Sequence, residues 1–360
     1  MKEKNGKKLR FGLVGCGRIA KRHSELLGNG MIAGAELAAV CDIKSARAKE
    51  VGNKFNVPHY TDMRKMMEKE RLDAVSVLTP SGYHAEHVIA LAAYGKHIVV
   101  EKPMALKLYD ADAMIEACDK NRIKLFVVKQ NRFNVPVVKL RDSLARGRFG
   151  KLVMGTVRVR WCRRQEYYDQ DKWRGTWALD GGVIANQASH HVDLLRWTLG
   201  EPVSVFAKSS TALVDIETED TAAVVLKFKN GALGIIEATT ATRPRDIEGS
   251  LSVLGENGIV EIGGFAVNEM RIWEFAKKEQ ADADVLKKYS VNPPNVYGYG
   301  HQAYYQNVVD CILSDSQQLV DGLEGRKTLE LILAIYESIE TGKEVFLRFV
   351  PKKCRLGERQ

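Results

Sequence analysis

Two rhythms of apolar and polar positions divide the chain. From residue 9 to 128, short apolar runs alternate with segments of helical period. The runs are Leu9–Val14, Glu36–Cys41, Asp73–Leu78, His97–Val100 and Lys124–Val128; the helical segments are Arg18–Leu27, Ser45–Phe55, Tyr83–Tyr94 and Leu108–Asn121. Runs that are apolar throughout predict strands covered on both faces, and their alternation with helices predicts βαβ units around a parallel sheet. Handed crossovers then build a doubly wound α/β domain over residues 1–128. Beyond residue 129 the rhythm changes to period two. Leu152–Cys162, Val203–Ser210, Thr221–Phe228, Leu233–Thr240, Gly249–Leu254, Ile259–Ile262 and Glu269–Phe275 follow one another across Gly and Asn turns. Successive strands with few helices between them predict an α+β domain over 129–350 with a large open, mostly antiparallel sheet. Helices are expected around Gly182–Leu199 and His301–Leu313. A last one, about 325–341, carries Leu329, Ile332, Leu333, Tyr336 and Ile339 on one face and is expected to pack back on the first domain.

Composition narrows the classes. The chain has 360 residues, 45% of them hydrophobic, enough for two or three domains with real cores. Fifty-four basic against 45 acidic residues give +9, partly from the N-terminal tract Met1–Lys8, which is expected to be a solvated, poorly ordered end. The remaining positive balance suits anionic ligands. Six scattered cysteines without a CxxC pair argue against a zinc ribbon or redox dithiol. No apolar stretch reaches the length of a secretory core or a bilayer span, so the expected setting is the cytoplasm, with no membrane partner.

Gly15-Cys16-Gly17-Arg18-Ile19-Ala20 follows the first run and opens the first helix. In this GxGxxA pattern Gly15 permits the turn, Gly17 lets backbone approach a pyrophosphate, and Ala20 lets the helix lie close to the sheet; the helix N-terminus offers N–H groups to the phosphates. Asp42 ends the second apolar run, where a carboxylate meets ribose hydroxyls and repels a 2′-phosphate, favouring NAD over NADP; the alternative is a helix N-cap. The insert Gly28–Gly34 accounts for the long Gly15–Asp42 spacing.

Ligands of doubly wound sheets collect at the carboxyl ends of strands. Thr79-Pro80-Ser81 and Glu101-Lys102-Pro103 both fall there. A lysine beside a pyridinium ring, partly desolvated, has its pKa lowered and can act as base or as donor to a forming alkoxide; taken alone, Glu101-Lys102 reads equally as a solvated pair. Gln130, Asn131 and Arg132 follow the last parallel strand and either face the cleft or reverse the chain. Arg158, Arg160, Arg163 and Arg164 precede Tyr167, Tyr168 and Trp173. The alternating Arg158 and Arg160 read as a half-solvated strand, which leaves Arg163 or Arg164 to pair with phosphate or carboxylate. Adjacent His190 and His191 point in different directions on a helix and lack a third ligand at a sensible spacing, so no metal is expected. His84 is expected at the cofactor. His301 either meets a ligand or simply starts a helix.

GCGRIA, Thr79–His84 (TPSGYH) and EKP, followed by a sheet domain, resemble the Gfo/Idh/MocA oxidoreductase family over nearly the whole chain. The resemblance implies a Rossmann dinucleotide-binding domain, a second domain for substrate binding and oligomerisation, NAD as cofactor, and hydride transfer at a sugar or polyol carbon. Segments 127–132, 165–168, 173–177, 186–190 and 296–301 are similar to the WlbA-type branch, which oxidises C3 of UDP-N-acetylglucosaminuronic acid (UDP-GlcNAcA) in surface-polysaccharide synthesis. That likeness implies Lys102 and His190 as the catalytic pair, with His190 favoured as base. Expected cofactor contacts are Gly15, Gly17, Arg18, Ile19, Asp42, Thr79, Ser81, His84, Glu101, Lys102 and Gln130. Expected sugar contacts, besides Lys102 and His190, are Asn131, Arg132, Arg163, Arg164, Tyr167, Tyr168, Trp173, Arg174, Asn186, Tyr299 and His301. Asn186 departs from the aspartate that many members carry four residues before the histidine, and this removes an acidic partner. The resemblance also raises NADH recycling by 2-oxoglutarate and a homo-tetramer. Rival readings are a dehydrogenase of another nucleotide sugar or of free inositol, and an NAD-sensing or nucleic-acid-binding module. Against nucleic acid, the Arg/Tyr/Trp cluster is confined to one segment.

Overall fold

The computed structural model describes residues 8–291, 293, 298–347 and 354–358. Most of the tract expected to be a loose N-terminal end, and Val296–Tyr297 of the motif at 296–301, lie outside the described residues. The chain divides into two compact units: Met1–Val128 with His301–Arg326, and Lys129–Gly300 with Lys327–Gln360.

The first unit runs β1 (Leu9–Val14), α1 (Ala20–Gly28), β2 (Ala35–Cys41), α2 (Ser45–Phe55), β3 (His59–Tyr60), α3 (Met63–Lys69), β4 (Ala74–Val77), α4 (His84–Ala92), β5 (His97–Val100), α5 (Leu108–Lys120) and β6 (Leu125–Val127). Its strands pair in parallel in the order β3-β2-β1-β4-β5-β6. β4 and β5 are buried almost throughout, as expected for strands covered on both faces. The order reverses between β1 and β4, so loops leaving these two strands diverge and leave a crevice at their carboxyl ends. β3 and α3 were not visible as periodic runs: β3 has two residues, and α3 has seven with Asp62 capping the N–H groups of Arg64 and Lys65.

The second unit contains α6 (Val135–Ala145), β7 (Leu152–Arg160), α7 (Gln165–Asp169), α8 (Ser189–Leu199), β8 (Pro202–Ser210), β9 (Thr221–Phe228), β10 (Leu233–Thr239), β11 (Glu248–Gly255), β12 (Gly258–Gly263), β13 (Glu269–Phe275) and α9 (Val285–Lys288). The chain ends with α10 (Gly300–Leu313), α11 (Gly322–Thr341) and β14 (Val345–Phe346). Eight strands form one sheet, β13-β12-β11-β7-β10-β9-β8-β14, antiparallel except where β7 lies parallel to β10. Period-two burial is plain in β7: Gly155, Val157 and Val159 face the core while Arg158 and Arg160 stand on the other side. α8 packs on the core face, and a Cβ at Gly155 would lie 2.7 Å from a methyl of Leu199, so glycine sets how closely helix and sheet approach. The helix expected over Gly182–Leu199 begins only at Ser189; the residues before it are turns.

The segment that returns to the first unit is His301–Arg326, earlier than the expected 325–341. Phe126 bridges to Asp321, and Arg326 pairs with Asp112. The amphipathic stripe of α11 instead belongs mainly to the second unit. A stripe reports that a face is buried, not against which partner.

Candidate active site

In the first unit, β1 leads into the turn Gly15-Cys16-Gly17. Gly15 has φ of +100°, and a Cβ there would lie 2.7 Å from the Leu78 carbonyl oxygen. Glycine is therefore demanded by the protein itself. At Gly17 a Cβ would meet no described protein atom within 4 Å. The missing side chain leaves backbone open on that side, the requirement of a close-approaching diphosphate rather than of the fold. Arg18 and Ile19 complete the turn, and Ile19 precedes the first residue of α1 without a side-chain cap. Asp42 accepts from the Cys16 N–H at 2.7 Å and the Lys44 N–H at 2.8 Å. It is not the N-cap of α2, which is Lys44. Its carboxylate instead fixes the glycine turn against the end of β2.

The loops after β4 and β5 are tied together. His84 is buried, with Nδ1 2.8 Å from the Pro103 carbonyl and Nε2 2.8 Å from the Thr79 carbonyl. Burial pulls its pKa down while the two carbonyls favour the charged ring. Both ring nitrogens thus brace the two loops. Thr79 Oγ1 meets His87 Nδ1 at 2.9 Å, and Ser81 is buried in the short turn before α4. Glu101 is buried at the end of β5. Its Oε1 lies 2.9 Å from His23 Nε2, and its Oε2 accepts the Lys102 N–H at 3.0 Å. Burial alone would raise the Glu101 pKa, but the His23 bond and the charges of His23, His301 and Lys102 outweigh it and hold the group well below the usual carboxylate range. His301, expected at the sugar, lies in this buried cluster with its ring 5.6 Å from that of His23. The donor atoms of His23, Glu101 and His301 fall within 4.8 Å of one another. Within this group His23 and Glu101 are bonded directly to each other, and the His301 ring stands beside them.

In the second unit, His190 sits in the first turn of α8 and is buried, with Nε2 2.9 Å from Gln130 Nε2. Gln130, expected at the cofactor, is therefore also the neighbour of the candidate base. His191 turns the other way, towards the Trp161 ring at 5.9 Å, and burial lowers its pKa to about 3. Asn186 donates to Asp180 at 2.6 Å, and Asp180 also accepts the Gly175 N–H. The acid that the sequence seemed to lack stands one side chain behind. Buried Glu219 accepts from the Ile184 N–H and the Tyr336 hydroxyl, which pins the segment leading to α8; burial raises its pKa to about 7.

Several residues expected at the sugar also have protein partners. Arg132 is fully buried and grips Asp193 with two bonds, of 2.7 and 2.8 Å. Burial would raise the Asp193 pKa, but Arg132, Lys129 and Arg196 hold it far below normal. Only tertiary folding creates this forked pair, since its members lie 61 residues apart. Tyr168 turns into the core, its hydroxyl 3.0 Å from Thr240 Oγ1. Asn131 is buried in the turn between β6 and α6. Arg163 pairs with Asp246 at 2.8 Å and lies over Trp161 and Tyr167. Arg174 lies over Tyr167 and Trp173 and donates to the Tyr167 hydroxyl at 2.8 Å. Arg163, Tyr167, Trp173 and Arg174 thus come together as one half-buried layer of guanidiniums and rings, while Arg164 and Tyr299 are exposed.

A family model described as the oxidoreductase family's NAD-binding Rossmann fold (GFO_IDH_MocA) matches residues 9–129, and that of its C-terminal alpha/beta domain matches 141–347. The chain belongs to the Gfo/Idh/MocA oxidoreductase family. Two solved structures are similar over nearly their whole length, each with TM-score 0.90: the WlbA dehydrogenase from Bordetella pertussis with NADH and UDP-GlcNAcA, at 41% identity over 95% of this chain and 99% of that one, and its counterpart from Chromobacterium violaceum with the same ligands, at 42% over 96% and 97%. A myo-inositol 2-dehydrogenase from Thermotoga maritima is 30% identical over 95% of this chain and 99% of that protein. The chain is an NAD-dependent oxidoreductase whose first unit is the NAD-binding Rossmann fold. Among the described residues no helix is long and apolar enough to cross a membrane.

Proposed function

We propose that this enzyme oxidises the C3 hydroxyl of UDP-GlcNAcA to the 3-keto sugar with NAD⁺, a step towards a surface-polysaccharide sugar. The observation that carries the reading is the likeness, at 41 and 42% identity over nearly the whole chain, to two dehydrogenases solved with NADH and that sugar. The layer of Arg163, Tyr167, Trp173 and Arg174 supports it, since guanidiniums suit diphosphate or carboxylate and rings suit sugar or uracil faces. NAD⁺ bound by the first unit supplies the two-electron acceptor. The C3 hydrogen leaves with its electron pair as hydride, and the hydroxyl proton passes to a protein base as C3=O forms. Lys102 and His190 are the proposed pair, one taking the proton and the other donating to the oxygen. Following NADH absorbance across UDP-sugars tests this. UDP-GlcNAcA is expected to exceed its neutral counterpart by roughly ten- to a hundredfold in kcat/KM, the worth of one charge-assisted hydrogen bond. Equal rates, or no competition by UDP, would instead favour a free polyol, which the inositol dehydrogenase relative keeps as the second reading.

The proposal extends to a cytoplasmic homo-tetramer and to reoxidation of NADH by 2-oxoglutarate. One sheet face carries Phe206, Val225 and Ile235 in a row across β8, β9 and β10, beside Arg158, Arg160 and Glu237. An apolar row flanked by both charges suits a second copy of itself. Light scattering should give a tetramer that Val225→Glu dissociates, and 2-oxoglutarate should yield 2-hydroxyglutarate; a wild-type monomer, or no such product, excludes the corresponding part.

A further inference from the structure

We propose that His23 and Tyr305 are positioning residues for the reaction: they hold the Glu101 carboxylate against the turn carrying Lys102, so that Lys102 serves as an ammonium donor and leaves the base role to His190. The inference rests on the proposed pairing of Lys102 with His190.

Four buried side chains from four elements of the first unit form one hydrogen-bonded line. Ser76 Oγ on β4 lies 2.8 Å from the Tyr305 hydroxyl on α10; that hydroxyl lies 2.6 Å from His23 Nδ1 on α1; His23 Nε2 lies 2.9 Å from Glu101 Oε1 at the end of β5. The other Glu101 oxygen accepts the backbone N–H of Lys102 at 3.0 Å. The Tyr305 ring is itself fixed edge-on to Phe11 at 5.8 Å and to His23 at 5.3 Å. Such a line fixes the carboxylate in place and fixes the turn that follows it.

It also fixes charge. An ionised carboxylate in the interior persists only when its lone pairs and charge are answered. The groups facing Glu101 are His23 from α1, His84 from α4, Tyr304, Tyr305 and His301 from α10, and Lys102 beside it. The Lys102 charge favours ionised Glu101. Glu101 precedes Lys102 in the chain and accepts its backbone N–H at 3.0 Å, so an ionised Glu101 favours the charged form of the neighbouring lysine by Coulomb attraction. This opposes the pyridinium and desolvation effects that would turn Lys102 into a base. An ammonium can donate to the forming oxygen but cannot accept the hydroxyl proton, which leaves that proton to His190.

The test is the pH profile of kcat, with NAD⁺ and UDP-GlcNAcA, for the full-length wild type, Tyr305→Phe and Glu101→Gln. Activity should fall at high pH as the ammonium is lost. Glu101→Gln should move that alkaline limb down by about one pH unit, the effect of removing roughly 1.4 kcal/mol of coupling. Tyr305→Phe should move it in the same direction, with a five- to tenfold lower kcat and a KM for NAD⁺ within twofold of wild type. Packing damage alone would lower the rate without moving the limb. An unmoved or raised limb in folded Tyr305→Phe overturns the proposal, whether or not Glu101→Gln folds. Lys102→Ala separates the two levels: near-normal turnover in it removes the catalytic reading itself, whereas an inactive Lys102→Ala beside unmoved limbs removes only the role of the network.

Discussion

Lys102→Ala and His190→Asn should each cut turnover by roughly 10²- to 10⁴-fold, the usual worth of a positioned proton-transfer group. The expected loss is large because both side chains are set by structure that survives the substitution. Lys102 projects from a turn whose backbone N–H is already bound to Glu101, and that bond does not involve the lysine side chain. His190 is buried in the first turn of α8, with Gln130 beside its Nε2. Asparagine keeps a polar group of related size there but cannot take a proton near neutral pH. Both variants should still bind NAD⁺, because the glycine turn and Asp42 are untouched. Single-turnover formation of NADH, measured beside NAD⁺ affinity, checks this. Turnover within a few-fold of wild type in either variant takes that residue out of the chemistry.

The second large effect separates two glycines that look alike in the motif. Gly17→Val should weaken NAD⁺ binding by roughly ten- to a hundredfold, the cost of about 1.5–3 kcal/mol for one lost charge-assisted bond to a phosphate. It should leave the melting temperature of the cofactor-free protein almost unchanged, since no described protein atom lies near the added Cβ. Gly15→Val should lose both. Its φ of +100° is hostile to a β-branched residue, and its Cβ would press on the backbone of Leu78 and Thr79, which cannot swing aside as a flexible side chain can. Thermal melts with and without NAD⁺ distinguish the two. A Gly17→Val protein that binds NAD⁺ normally would remove the diphosphate from this turn.

Much of the architecture could be read along the chain, because both of its rhythms are local. Apolar runs between helices imply parallel strands, and period-two runs between turns imply an antiparallel sheet; both follow from how successive side chains point. The parallel β7–β10 pair could not be read, since the order of strands is decided by packing after the strands exist. Short elements such as β3 and α3 escaped because two to seven residues carry too little period. The glycine turn was visible because a sharp turn needs Gly wherever it occurs. His23 left a faint mark, a polar residue on the core face of a helix. Its partner Tyr305 left none at 282 residues' distance.

By itself, then, the sequence determined the two domain types, the glycine turn and the residue types available for hydride transfer, all of which depend on neighbours within about a dozen positions. Tertiary structure alone decided which polar side chains work on one another. It gave Arg132 to Asp193, set Gln130 beside His190, placed Asp180 behind Asn186, and buried Glu101 against His23. A charge or hydrogen bond acquires its strength from burial and from partners brought in from distant segments, and neither is written in local spacing.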